Sequence, residues 1–369
     1  MKKSKNKMGQ IDFSMFIVIM ALVSIGVVMV YSASSYISFF SKSYNYDSMF
    51  FLKKQLKWAI LGTICMIFTM KVDYHKLKKF TGIGTIVTLI LLVVVLFMPS
   101  VNGATRWINF GFATVQPSEI AKYMVVLILA KSIEKRGQRI KNFWGGPVYH
   151  LCIAGVFSGL ILLEHNLSIA SVVIFVTLII LFTSGAKKAH IGLFGLLGVI
   201  AGILLSVFSS YRLKRLMSFR NPWADPLKDG YQLIQSLLAL GSGGIFGVGL
   251  GMSRQKCFYI PEPHNDFIFS IIGEELGLIG CILIIILYLI FIWRGIGAAL
   301  RAKDAYGTVL ATGITSVVAV QAIINIAVVS GSMPVTGVPL PFISYGGSSL
   351  VFNLIAMGIL LNITRQNKN

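Results

Sequence analysis

About ten apolar runs recur along the chain, separated mostly by short loops, and that recurrence constrains the fold more than any other feature. They cover roughly 13–34, 56–70, 80–98, 117–131, 147–163, 167–184, 190–209, 267–293, 306–329 and 346–363, close to the length a hydrocarbon core demands. Hydrophobic residues make up 56% of the 369, which a soluble core of this size does not need. The expected fold is an all-α integral membrane protein, a polytopic bundle of about ten transmembrane helices forming one domain over 1–369. Runs two and four are short for a spanning helix, so their ends should be wet or tilted.

The net charge is +20. In a soluble chain that would suggest nucleic acid, but here most Lys and Arg sit in short loops between apolar runs, as membrane orientation requires. Lys2 to Lys7, Lys71 to Lys79, Lys131 to Lys141, Lys187-Lys188, Arg294 to Lys303 and the Arg365/Lys368 tail fall on one side. The positive-inside rule makes that side cytoplasmic and puts both termini there. No small-residue cleavage site follows the first run, so it should stay as an anchor. Cys65, Cys152 and Cys281 lie in apolar runs and only Cys257 in a long loop, which builds no disulfide framework. The five His are scattered without the paired spacing of a zinc site.

The long loop at about 210–265 breaks the charge pattern. Parity places it outside, yet it carries Arg212, Lys214, Arg215, Arg220, Lys228, Arg254 and Lys256. Long loops cross regardless of charge, so tolerance competes with an external site for an anionic group. Within it, Tyr231–Leu240 is a short helix candidate, and Gly241 to Gly251 a glycine-rich stretch that lies on the surface or re-enters. Its glycines have no βαβ context, so close backbone packing is preferred over a nucleotide loop.

Tyr259 to Glu275 runs from a Pro-punctuated loop into an apolar helix. A start at Asn265-Asp266 would make Asp266 an N-cap at the membrane surface, with Ser270, Gly273, Glu274 and Gly277 on one polar stripe. Such a stripe belongs against a cavity or the bundle interior. Near His264 and a basic loop, Asp266 also suits a general base beside an anionic leaving group. Glu274 could support that cavity, while Glu275 points elsewhere as a structural partner.

Other candidates cluster on the same side. Arg106 stands beside the interfacial Trp107, where a phosphate would sit. Glu119 and Lys122, three apart after Pro117, read first as a structural ion pair and second as a polar path. Glu164-His165-Asn166 fills a tight turn. Ser348 and Ser349 suit an N-terminal cap or an anion site on the last helix.

The run Gly249-Leu-Gly-Met-Ser-Arg-Gln-Lys-Cys-Phe-Tyr-Ile-Pro-Glu-Pro-His-Asn-Asp-Phe-Ile-Phe-Ser-Ile-Ile-Gly-Glu-Glu-Leu-Gly277 closely resembles the signature of the SEDS family of bacterial cell-wall synthesis. Tyr31-Ser-Ala-Ser34, Gly103-Ala-Thr-Arg-Trp107, Gln116-Pro-Ser-Glu119 and Pro334 to Ser349 match in order, nearly end to end, and look more like the FtsW/SpoVE branch than RodA. The resemblance implies a ten-helix peptidoglycan glycosyltransferase of the bacterial cytoplasmic membrane. It would polymerise lipid II at the outer face, release undecaprenyl diphosphate, and work with a class B penicillin-binding protein among division or sporulation proteins. Asp266 matches the family's essential aspartate. Where many members have Gln/Glu-Pro-Asp, this chain has Glu164-His165-Asn166, which removes the carboxylate at 166.

An α-diphosphosugar donor and a β-linked polymer require inversion. Asp266 is then the base, and Arg106, Arg212, Arg215 and Arg220 are diphosphate candidates, with His264, Glu119, Lys122 and Ser348 as further substrate contacts. Guanidinium geometry suits the diphosphate better than Lys. A divalent cation is compatible with this chemistry, but the sequence offers no dedicated cage for one. A lipid II flippase using Glu119, Lys122 and Glu274 is the alternative from another class.

Overall fold

The structure is a computed structural model that describes residues 9–100, 105–111, 113–208 and 210–367, with backbone alone for 210–212. Ten long helices correspond to the ten apolar runs: α1 (Phe13–Phe39), α2 (Phe50–Lys71), α3 (Leu77–Val94), α4 (Pro117–Arg136), α5 (Tyr149–Leu163), α6 (Leu167–Thr183), α7 (Lys188–Val207), then α10 (Ile268–Leu300), α11 (Ala305–Val329) and α12 (Gly347–Gln366). Two more, α8 (Ser210–Arg220) and α9 (Tyr231–Gly243), lie within the long loop. Among the described residues, seven helical segments are long and apolar enough to cross a membrane by length and composition. Of the others, α6 is apolar but has 17 residues, and α2 and α4 carry several charges.

Those charges explain the main boundary correction. The run at 56–70 becomes a 22-residue helix, because Lys53 and Lys54 continue it in a polar N-terminal turn. Likewise α4 reaches Arg136 through Lys131, Glu134 and Lys135 and has 20 residues. Neither is short. Long basic side chains extend a spanning helix into the headgroup layer, where an apolar count stops early. A basic α8 was not expected, and a two-stranded ribbon, β1 (Ile108–Asn109) and β2 (Thr114–Val115), interrupts the otherwise helical fold ahead of α4.

The buried core is shared by α1, α4, α6, α10, α11 and α12, whereas α7 buries none of its residues. Polar side chains fasten the helices where apolar contact with lipid would be as favourable as contact with protein. Thr69 Oγ1 on α2 donates to the Ile355 carbonyl of α12 at 3.2 Å, and Tyr288 of α10 donates to the Pro341 carbonyl. At one end, His75 lies 2.8 Å from Asp73 and 2.6 Å from Asp304, joining the start of α3 to that of α11.

The glycine-rich stretch packs backbone to backbone against α10, as expected from its glycines. Gly277 interrupts α10 with φ 66° and ψ −165°. The freed groups pair with the glycine loop: Val248 N donates to Glu274 O at 2.9 Å and Leu278 N to Gly244 O at 2.9 Å. A Cβ on Gly277 would fall 2.4 Å from Gly247 N. Only glycine allows both the positive φ and that approach.

Candidate active site

Asp266 is not the helix cap its position suggests. The helix begins at Ile268 with Phe267 at the N-cap position and no side-chain cap bond, so Asp266 lies in the preceding turn with its side chain free for other work. The backbone around it is pinned from the opposite loop. Tyr345 N donates to His264 O at 2.9 Å, Ser344 Oγ to Asn265 O at 2.8 Å, and Asn325 Nδ2 of α11 to Asp266 O at 2.8 Å. Asn325 also donates to Val338 O at 2.8 Å. The Pro-rich 332–346 segment thus forms one wall of the site, with Val338, Leu340, Phe342 and Ile343 buried beneath it. Gly337 lies close by: a Cβ there would stand 3.2 Å from Asp266 Oδ2.

The other side is held by two carboxylates about two turns into α10. Glu274 accepts Arg254 N at 2.9 Å, Gln255 N at 3.3 Å and the Ser253 hydroxyl. Glu275 forms a buried ion pair with Lys256 at 2.8 Å and lies 2.6–2.7 Å from Ser32 Oγ of α1. Both acids clamp the 250–258 loop. The expected stripe is therefore corrected: Glu274 faces loop backbone, Gly277 makes a kink, and Ser270 bonds Ser236 of α9 at 2.8 Å.

Burial, with Glu262 adding to it and Arg215 and Arg106 acting against it, raises the Asp266 carboxyl to about 6. The side chain keeps some accessible surface, so it is a carboxylate set low in a partly open cleft. Arg106 is oriented by two turn carbonyls, Glu164 O at 3.4 Å from Nε and His165 O at 2.5 Å from Nη2. Arg215 of α8 donates to Val335 O at 3.0 Å, and Ser168 Oγ to Thr336 O at 2.5 Å. Two guanidiniums from distant parts of the chain, one in the loop before β1 and one on α8, therefore bear on one carboxylate.

The tight turn has its own chemistry. Asn166 caps α6 through Ile169 N at 3.2 Å, and His165 takes a left-handed φ of 59°. Glu164 is fully buried with neither carboxylate oxygen in good hydrogen-bond geometry. Ser118 leans towards it, and burial raises its carboxyl to about 8.

The remaining candidates separate from this cleft. Glu119 and Lys122 pair at 2.9 Å, wholly buried, and are satisfied by Gln321 at 2.9 Å and Ser349 at 2.6 Å. Ser348 does not cap α12: the cap position is Gly346 without a side-chain bond, and Ser348 Oγ is buried without a partner among the described residues. Having backed onto α4, Ser349 serves Glu119 instead. His264 is buried beside Phe51 and Tyr345, with ring centroids 4.2 and 5.5 Å away, and burial lowers its imidazole to about 4. It is a neutral ring in an aromatic cage. Arg220 is exposed at the end of α8, and the side chain of Arg212, like Gly103 and Ala104 of the Gly103–Trp107 run, lies outside the described residues. Sequence reasoning passed over Gly337, Asn325 and Glu262. A side-chain amide in the apolar run of α11, one of two there with Gln321, was the available signal for Asn325.

Fold and site define a polytopic membrane protein with a half-buried carboxylate and two arginines bearing on it at one end of its bundle. The chain belongs to the FtsW/RodA/SpoVE family of cell cycle proteins, whose family model matches residues 12–369. It is 44% identical to stage V sporulation protein E of Bacillus subtilis (strain 168) over 364 residues, covering 97% of this chain and 98% of the relative. It is 42% identical to a probable peptidoglycan glycosyltransferase FtsW of Geobacter sp. (strain M18), with 95% and 96% covered. Among solved structures it resembles a chain of a peptidoglycan synthase complex that coordinates polymerisation and crosslinking, with TM-score 0.80, 29% identity, and 97% and 98% covered. It also resembles the rod shape determining protein RodA of Thermus thermophilus, with TM-score 0.71, 26% identity, and 97% and 98% covered.

Proposed function

We propose that this chain is a peptidoglycan glycosyltransferase that polymerises lipid II at the outer face of the cytoplasmic membrane, with Asp266 as general base. The observation that carries the reading is the cleft carboxylate, raised to about 6 by burial while two arginines bear on it. A base with a pKa just below the working pH is largely ionised yet strong enough to take a proton. The acceptor hydroxyl oxygen attacks the anomeric carbon of the lipid-linked donor as its proton passes to Asp266. The bond to the diphosphate breaks with inversion, and the electron pair leaves on the diphosphate. Arg106 and Arg215 would neutralise that charge, a role for preorganised cations; Arg220 and Arg212, in the same stretch of sequence as Arg215, are additional candidates.

The charge pattern of the loops supports cytoplasmic termini and an external cleft. The similarity to a chain of a synthase complex supports a penicillin-binding protein as partner, supplying the crosslinks. A flippase would need an available polar route through the bundle. The Glu119–Lys122 pair is saturated by Gln321 and Ser349, which favours a structural role. Glycan strand formation from purified lipid II, in the presence of the cognate penicillin-binding protein, tests the reading. Polymer from the wild-type chain but not from Asp266→Asn supports it; equal polymer from both removes Asp266 from the chemistry.

A further inference from the structure

A second charged cavity lies far from Asp266, at the opposite end of α4. It has a volume of about 520 Å³ and is walled by Thr81 and Gly82 of α3, by Lys131 and Lys135 of α4, and by Arg139 and Tyr149 leading into α5. Lys and Arg in a loop on this side need no explanation beyond orientation. A recess between three helices that gathers four of them does.

Two of the cations are held in place by the protein. The Arg136 guanidinium lies 3.4 Å from the Tyr149 ring centroid and donates to Gly145 O at 3.1 Å, and Lys131 Nζ donates to Lys78 O at 3.0 Å. The other two, Lys135 and Arg139, are exposed and have no ion pair among the described residues. The nearby acid of α4, Glu134, is taken by Lys78 at 2.6 Å. No carboxylate lines the cavity, so nothing within it neutralises the four charges.

The floor is apolar. Ile128 and Ile153 close it one turn deeper in the bundle. Beyond the rim, Ile83, Ile86 and Ile90 of α3 and Val156 of α5 are exposed on the surface that lipid would cover. A Cβ at Gly82 would meet nothing within 4 Å, so that wall is open to the side. Cations at headgroup level above an open apolar flank suit a molecule with a phosphate at one end and acyl chains at the other.

We propose that this cavity binds the headgroup phosphate of an anionic phospholipid, such as phosphatidylglycerol, from the cytoplasmic leaflet. The assignment of leaflet rests on the orientation proposed above; the assignment of ligand chemistry does not. Lys135 and Arg139 supply the charge that discriminates, while Arg136 and Tyr149 shape the recess.

The test is native mass spectrometry of the detergent-purified chain with phosphatidylglycerol or phosphatidylcholine of identical acyl chains. Wild type should retain phosphatidylglycerol preferentially. The Lys135→Gln/Arg139→Gln double variant should weaken that retention by roughly thirtyfold, about fivefold for each charge at a membrane surface. Both positions are exposed, and an unchanged Tm will show that the variant folds. Equal retention of the two lipids, or equal retention by wild type and variant, would overturn the proposal. Glycerol phosphate or inorganic phosphate is then added in excess as competitor. Persistence of bound lipid supports a lipid occupant, whereas displacement by the soluble phosphate would overturn it in favour of a free anion. Lipid II polymerisation is read separately, so failure of this site and failure of the Asp266 cleft are distinguishable.

Discussion

Gly337 and Asp266 meet across the cleft: a Cβ on Gly337 would stand 3.2 Å from Asp266 Oδ2, and Gly337 holds φ +74°. A Cβ there would crowd the carboxylate, and the left-handed backbone favours glycine. Gly337→Ala should therefore act through the site more than through the bundle. The expected strain is roughly 1–2 kcal/mol for a left-handed alanine, a modest loss of Tm. Crowding of the carboxylate should lower glycan polymerisation by at least about tenfold, as small misplacements at reacting groups do. Thermal unfolding and polymerisation measured on the same preparation separate the two effects.

The pH profile follows from the same environment. Asp266 must be ionised to accept a proton, and burial raises it to about 6, so polymerisation should fall as pH drops through about 6 and level off above 7. Arg215 lowers that value by stabilising the carboxylate. Arg215→Gln should move the acidic limb to higher pH and reduce the rate near neutrality. An unmoved limb would separate Arg215 from the Asp266 carboxylate.

Glu275 and Lys256 form a buried pair at 2.8 Å, with Ser32 completing it. Removing one partner leaves an uncompensated buried charge. Glu275→Ala should cost about 3–5 kcal/mol and lower Tm sharply, while Glu275→Gln keeps hydrogen bonds and should cost less. Because the pair fixes the loop leading to Asp266, surviving Glu275→Gln protein should also polymerise more slowly.

Glu164 gives a linkage prediction. Its carboxyl is raised from 4.5 to about 8 by burial, so between those values the unfolded chain has lost a proton that the folded chain keeps. Folded-state stability should therefore fall as pH rises from about 4.5 to about 8. Glu164→Gln removes this contribution and should flatten that part of the Tm-against-pH curve. An unchanged slope would mean that Glu164 is ionised in the fold.

The bundle was legible because lipid demands long apolar helices, and each run found its helix. The ends of α2 and α4 were not, since Lys53 and Lys135 continue helices that an apolar count terminates. Asp266, Arg106 and Arg215 were legible as chemistry because charged groups at a membrane face need partners. Their assembly was not, because it depends on contacts between residues more than a hundred apart in the chain, such as Arg215 with Val335. The surroundings of His264 and Ser348 were not legible either: residue type alone does not show burial beside Phe51 or within the first turn of α12. Gly337 carried no local signal of its role, since a glycine among prolines reads simply as a turn.

The most direct test of the account compares wild type with Asp266→Asn in lipid II polymerisation, with the cognate penicillin-binding protein present and binding of that partner checked for both. The account predicts glycan strands from wild type and none from the variant, at unchanged partner binding and Tm. Strands of equal length and yield from Asp266→Asn would contradict it.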